Sequence, residues 1–375
     1  MSQDPWEFWK YKLKSPKYVS APMVDMSELP FRLLTRKYDS DLCYSPMLHS
    51  SKFSKEPRYR KDMFSTCVED SPLIVQFCSN DAADFLAASL LVQYQCTAVD
   101  LNLGCPQKIA KRGHYGAYIM DEWELISDII KTATRNLETP VTCKIRIYQD
   151  DCRKSIHYAQ MLEKAGCKLL GVHGRSLHQK GSLTGPADWP QIRLVKSHLS
   201  IPVIANGNIL EYSDLDECIK KTSADAVMSA ETILHNPALF SDSHPFVWDI
   251  AQEFLELCSR YPINFNHIRA HFFKIFHLCL PLLPRLRDKL CSAQTDLDLH
   301  SFIESVRSAL FFPHDNDLRA RVLLQQIKLG NGTSPYTLDA DAITGLNLLK
   351  QDEDQSSSIL PPWVCQPFIR PNYFS

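Results

Sequence analysis

Residues 141–175 read VTCKIRIYQDDCRKSIHYAQMLEKAGCKLLGVHGR, and the reading of this stretch decides the fold. An apolar run at 141–145 leads into a segment of helical period at 155–165, and a second apolar run follows at 169–173. Two continuously apolar strands joined through a helix form a parallel pair buried on both faces, because a parallel connection needs a crossover and the crossover helix covers the sheet. The unit recurs in both directions along the chain. Short β-branched or apolar runs stand at 18–22, 42–45, 73–77, 98–102, 203–206 and 226–229. Segments of helical period occupy 82–94, behind an N-cap at Asp81, and 123–136. Eight strands alternating with helices predict an α/β chain closed into a (β/α)8 TIM barrel. No G-x-G-x-x-G follows the first strand, which weighs against an open dinucleotide-binding sheet.

Beyond residue 244 the pattern turns purely helical. Val247, Ile250, Ala251, Phe254 and Cys258 line one face; Ile268, Phe272, Ile275, Phe276 and Cys279 a second; Leu299, Phe302, Ile303, Val306 and Leu310 a third. Prolines 262, 281 and 313 punctuate these segments. The expected organisation is an N-terminal extension at 1–17, the barrel at 18–244, a small all-helical domain at 245–312 and a partly irregular tail at 313–375. One helix is expected near 317–328, before the polar run QDEDQSSS at 351–358.

The 375 residues carry 41 Lys+Arg against 43 Asp+Glu, a formal net charge of −2. That balance excludes a wholesale polycation, so any grip on nucleic acid has to come from a local basic face. No uncharged apolar stretch reaches the length of a membrane span. The opening MSQDPWEFWKYKLK lacks the apolar core of a secretory signal and carries acids that a mitochondrial presequence avoids. Thirteen cysteines without a C-x-x-C pair indicate neither a disulfide framework nor a metal site, and they fit a reducing cytoplasmic or nuclear compartment. Only 12 glycines are present, most of them between Gly104 and Gly207, so many of these should stand where a Cβ would block a turn or a ligand.

A barrel of this kind collects its chemistry at the C-terminal ends of its strands. At those ends the sequence sets Pro22 and Met23, Tyr44, Gln76, Asn102, Lys144 with Arg146, His173 with Arg175, Asn206-Gly207-Asn208, and Ser229-Ala230-Glu231. The last two groups occupy the place where barrels bind phosphate through backbone N–H groups, although capping turns would look the same. Lys144 and Arg146 are two residues apart and share one side of a strand; an anionic or electron-rich ligand at the mouth suits them better than the helix layer. The most specific element is VDLNLGCP at 99–106, continuing as QKIAKRGHYGA to residue 117. It sets Cys105 on a stiff loop above the mouth, supported by the basic Lys108, Lys111, Arg112 and His114. Two further basic groups could contact an anionic partner or be solvated faces. One is SKFSKEPRYRKD at 51–62, read as a loop; the other is the helix face His267, His271, Lys274, His277 with Arg285, Arg287 and Lys289 behind it.

The run from 99 to 117 resembles the signature of the tRNA-dihydrouridine synthases, flavin enzymes that reduce selected uridines of tRNA. The resemblance extends to APM at 21–23, Gln76, KIR at 144–146, VHGR at 172–175, NGNI at 206–209 and HNPALF at 235–240. MSAE at 228–231, RAHFFKIFH at 269–277 and WVCQPFIRP at 363–371 are most similar to the eukaryotic branch acting on uridines 16 and 17 of the D-loop.

The resemblance implies FMN across the barrel mouth, with Pro22, Met23 and Val24 behind its ring and Gln76, Lys144 and His173 bonded to it. Asn206, Gly207, Asn208, Ala230 and Glu231 would hold its phosphate. Cys105 would donate the proton that uracil C5 receives, Asn102 and Arg146 would contact the uracil, and Arg175 would be a further ligand contact. NADPH or NADH would be the reductant, and tRNA would be gripped by Lys274, Arg285 and Arg287. Thr232, Ser40 and Ser79 replace smaller residues usual in the family, and the Cβ of Thr232 is expected to crowd the phosphate. Two other readings stay open, an FMN enone reductase acting on small molecules and an RNA-binding barrel without flavin. Neither a membrane nor a protein partner is indicated.

Overall fold

The computed structural model describes residues 4–311 and 360–368. All eight expected strands form: β1 (Tyr18–Ser20), β2 (Leu42–Tyr44), β4 (Leu73–Cys78), β5 (Ala98–Leu103), β6 (Val141–Arg146), β7 (Leu170–His173), β8 (Val203–Asn206) and β9 (Ala226–Ser229). A two-residue strand, β3 (Leu48–His49), adds to β4. Every pairing is parallel, and β2 pairs with both β1 and β4, which closes the sheet into a barrel. Closure explains the sequence pattern. Each strand lies between the lumen and a ring of helices, so both of its faces are apolar.

The crossover helices follow their caps. The helix after β6 starts at Cys152, three residues before the expected bound, because Asp151 Oδ1 accepts the Lys154 N–H at 2.8 Å. It ends at Gly166, whose φ of +118° is a left-handed stop. The helix after β4 closes at Leu90, short of the expected 94, and turns follow. The segment at 51–62, read as a loop, instead forms the helices Ser50–Lys55 and Pro57–Met63.

Inside the barrel the layers differ in chemistry. Val19, Leu42, Ile74, Ala98, Ile204, Ala226 and Met228 belong to one buried cluster, and Phe8, Trp9 and Leu13 of the N-terminal extension join it. That extension is a helix, Pro5–Glu7 continuing as Phe8–Lys12. Trp6 Nε1 donates to the Ser200 carbonyl at 2.8 Å, just ahead of β8, so the extension seals the N-terminal end of the barrel. Towards the other end the inward residues become polar. Gln76, Asp100 and Thr142 share one register, and Asn102 with Lys144, then Arg146, His173 and Asn206, share the next ones up.

The chain divides into two compact units, which among the described residues are 4–233 with 239–242, and 234–238 with 243–311 and 360–368. The second contains the helices Val247–Arg260, Phe265–Ile275, Pro284–Ser292 and Asp296–Phe311. Phe276 packs edge-on against Phe302 at 5.0 Å. Residues 360–368 belong to this unit rather than to a separate tail. The Val247 N–H, an orphan donor of a helix's first turn, bonds the Trp363 carbonyl at 3.0 Å, and Cys365 N–H bonds the Pro245 carbonyl at 2.8 Å. The helix expected near 317–328, the run at 351–358 and residues 369–371 lie outside the described residues. No helix among the described residues is long and apolar enough to cross a membrane.

Candidate active site

β5 ends at Leu103, and Asn102 makes the turn that follows. Its Oδ1 accepts the N–H groups of Gly104 at 3.1 Å and Cys105 at 2.9 Å. Arg146 Nε donates to the Gly104 carbonyl at 2.8 Å. Gly116 has φ +65°, and a Cβ there would lie 2.9 Å from the Cys105 carbonyl oxygen. Glycine lets the returning chain come this close, and Ala117 N–H then bonds that same oxygen at 3.1 Å. Lys180 Nζ donates to the Pro106 carbonyl and to Tyr118 Oη, both at 2.9 Å, and Tyr118 Oη–H also bonds the Pro106 carbonyl.

The Cys105 thiol is half-buried. Burial pushes it up from its ordinary value, opposed by the Gln107 N–H and by Arg146, Lys144 and Lys180. Burial prevails, so the sulfur stays protonated at neutral pH. Lys108, Lys111, Arg112 and His114, the basic stretch behind the loop, are exposed, and the cations that bear on the thiol are Arg146, Lys144 and Lys180.

Beside the loop, cations crowd one wall. Lys144 Nζ donates to Asn206 Oδ1 at 2.9 Å. Arg146 Nη1 donates to the carbonyls of Ser176 at 2.8 Å and Gln179 at 3.1 Å. Burial, with Arg146 alongside, lowers Lys144 to about 8. Burial and then Arg175 lower Arg146 to about 10. Burial with the same three cations holds His173 well below its ordinary range, so it is neutral. Arg175 Nη1 can only donate, so at 3.1 Å His173 Nε2 is the acceptor and its proton sits on Nδ1.

These residues open into a cavity of about 220 Å³ lined by Arg146, His173, Arg175, Asn206 to Leu210 and Met228 to Thr232. Gly207 has φ +114°, and a Cβ there would come within 2.7 Å of the Ala187 Cβ. Asn208 holds the same loop, accepting from Arg175 Nη2 and Ala187 N–H at 2.9 Å each. Ser229 Oγ is buried on the cavity wall with no hydrogen-bond partner among the described residues.

The family model for dihydrouridine synthase (Dus) matches residues 19–277. This chain belongs to the Dus family. A Mus musculus protein named "tRNA-dihydrouridine(16/17) synthase NAD(P)(+)-like" is 43% identical over 98% of this chain and 71% of its own length. The Saccharomyces cerevisiae tRNA-dihydrouridine(16/17) synthase is 40% identical over 96% of this chain and 85% of its own. A Homo sapiens tRNA-dihydrouridine(20a/20b) synthase-like protein is 38% identical, but over only 68% of this chain and 82% of its own.

Among the flavin residues that the Dus resemblance implies, His173, Asn206, Gly207, Asn208, Ala230 and Glu231 line the cavity. Lys144 reaches it through its bond to Asn206, whereas Gln76 is fully buried and bonded to Asp100 and Asn102, neither of which lines the cavity. Pro22, Met23 and Val24 follow β1 beside it, where Ala21 N–H bonds the Ser229 carbonyl at 3.0 Å. The donors fit a phosphorylated flavin: cations in excess, a glycine that clears space, and an orphaned hydroxyl. Below the usual ~300–1,000 Å³ of ligand pockets, the cavity suits the phosphate-bearing end.

Of the substrate residues, Arg146 and Arg175 line the cavity, while the Asn102 amide is committed to the Cys105 loop. Lys274 is half-buried and Arg285 and Arg287 are exposed, all on the helical unit. His271, expected on the same polar face as Lys274, is instead fully buried against Phe254, ring centroids 4.6 Å apart. Thr232 lines the cavity, where its Cβ is expected to crowd a phosphate; the side chain is largely buried, and its hydroxyl donates to the Ile209 carbonyl. Ser40 and Ser79 are likewise bonded, to Ser20 and to Ser50, each at 2.8 Å. Sequence reasoning passed over Asp100, Thr142 and Lys180. The available signal for Asp100 was a charge inside an apolar strand, two residues before Asn102 and so on the same side.

Proposed function

We propose that this chain reduces uridine to 5,6-dihydrouridine in the D-loop of tRNA, at positions 16 and 17, with FMN at the barrel mouth and NADPH or NADH as reductant. The observation that carries the reading is a protonated cysteine on a braced loop beside a cation-lined cavity at the strand ends. When bound and reduced, FMN supplies the hydride that uracil C6 receives.

The chain's own residues do the rest. Asn206 to Asn208, Ala230 and Glu231 hold the phosphate mainly through main-chain groups, with Arg175 bracing Asn208. Gln76, Lys144 and neutral His173 face the ring system, where Lys144 offers a positive charge to an electron-rich edge. Cys105 holds its proton against nearby cations because burial disfavours the thiolate, and gives it to C5 as general acid. Arg146, fixed by three backbone carbonyls, stabilises charge that develops on the uracil carbonyl.

The base has to be unstacked to reach the mouth, which requires a grip on the surrounding RNA. Lys274, Arg285 and Arg287 supply phosphate contacts from the helical unit, which we assign as the tRNA-binding domain. Thirteen cysteines that form no disulfide among the described residues support a reducing compartment, cytoplasm or nucleus.

Cys105→Ala tests the reading. It should retain flavin absorbance and tRNA affinity and abolish dihydrouridine formation, measured by mass spectrometry of digested tRNA; undiminished product would overturn the acid assignment.

A further inference from the structure

We propose that Asp100 is a positioning residue whose carboxylate sets, through two amide side chains, the polarity with which the Cys105 loop is held. The inference deepens the reading of Cys105 as the acid, while the loop's geometry stands without that reading.

Each group can offer the others only certain hydrogen bonds. An ionised carboxylate only accepts hydrogen bonds, a backbone N–H only donates, and an amide side chain does one at each end of a nearly symmetric fork. Shape alone therefore does not decide which way Gln76 and Asn102 point. Asp100 lies between them and the barrel interior with no exposed surface. Its Oδ1 accepts from Thr142 Oγ1 at 2.6 Å, and its Oδ2 accepts from Gln76 Nε2 at 2.9 Å. With its nitrogen committed to Asp100, Gln76 can present only Oε1 to Asn102, and it accepts Asn102 Nδ2 at 2.8 Å. Asn102 is then oriented as well. Its Oδ1 faces the loop and takes the N–H groups of Gly104 and Cys105. Every dipole in the chain points one way, from donor-only backbone to acceptor-only carboxylate.

The carboxylate is held at a cost. Burial pushes Asp100 up to about 6, with Thr142, Gln76 and then Lys144 pulling it down. Tyr44 and Cys143 face it too, and each is pushed up by its charge as well as by burial. A neutral residue would be buried more cheaply. What an acceptor-only group adds here is direction, since a reversed Gln76 would leave Asn102 free to turn its Nδ2 towards the loop N–H groups, where donor would meet donor.

Amide hydrogen exchange tests this in the purified, flavin-containing protein, read on the peptide covering residues 103–108 and on β7 and β8 as internal controls. Asp100→Asn gives Gln76 a partner that can donate. It should speed exchange at Gly104 and Cys105 about tenfold, an opening made easier by ~1.4 kcal/mol, with single-turnover dihydrouridine formation slowed while flavin reduction by NADPH is unchanged.

The discriminating variant is Asp100→Asn combined with Gln76→Glu. The new carboxylate at 76 is acceptor-only, takes both amide nitrogens and restores the orientation of Asn102. Exchange at Gly104 and Cys105 should return towards the wild-type rate. The proposal is overturned by unchanged loop exchange in Asp100→Asn, or by a double variant no more protected than the single one. General unfolding of the single variant would accelerate β7 and β8 also, and the double variant then decides, because a swap of polarity rescues nothing if polarity does not matter. If Cys105→Ala keeps full activity while Asp100→Asn loosens the loop, the acid assignment fails and this inference stands.

Discussion

Cys105 and Lys144 show how one environment acts in opposite directions on two residues. Burial keeps the proton on the thiol and works against the proton on the amine. As the proposed acid, Cys105 must be protonated to act, and its value lies above that of an ordinary thiol, ~8.5. The alkaline fall in single-turnover rate is therefore expected above pH 8.5; a fall centred below it would show that the neighbouring cations prevail. For Lys144 the sign is reversed. Its folded value, about 8, lies below the ordinary lysine value of 10.5, so stability present above 10.5 is lost as pH falls through about 8. At neutral pH the buried ammonium works against the fold. Lys144→Met should give a colourless protein whose thermal midpoint at pH 7 is no lower than that of flavin-stripped wild type. Retention of the flavin would remove Lys144 from the cofactor site. Both residues were legible as strand-end chemistry, but the size and direction of burial at each came only with the packed barrel.

At the scale of elements, the N-terminal helix belongs to the barrel it precedes. Phe8 is 1% exposed within the lumen cluster, and a large-to-small change in such a core costs ~3–5 kcal/mol. Phe8→Ala should accordingly lower the thermal midpoint sharply, and a shift of under a degree would mean that the helix only rests on the barrel. The sequence showed this segment as an extension because so short a helix carries no partner information. The helical face with His271 was misread for a related reason. Periodicity sorts residues by polarity, and a histidine packed against Phe254 counts as polar until the packing is known. The segment 51–62 is expected in the loop after β2, yet its Lys and Arg residues sit on two short helices that bury Phe53.

For the whole molecule the question is how a chain of net charge −2 holds a polyanion. The answer must lie in local basic faces, whose affinity depends on salt because each phosphate contact releases counterions. Replacing Lys274, Arg285 and Arg287 together by glutamine should weaken tRNA binding and reduce the slope of log K against log salt by about 2–3. An unaltered slope would take these residues out of the RNA interface.

Strand periodicity, the Gly104-Cys105-Pro106 loop and the polar strand ends were determined by the sequence alone, because each depends on neighbours within a few positions. Which amide faces which, how far a thiol is desolvated and where Thr232 turns its hydroxyl were decided only by barrel closure. Closure brings Gln76 to Asp100 across 24 residues and Lys144 to Asn206 across 62. Hydrogen bonds over such separations follow from the register between strands, and no local pattern in the chain encodes it.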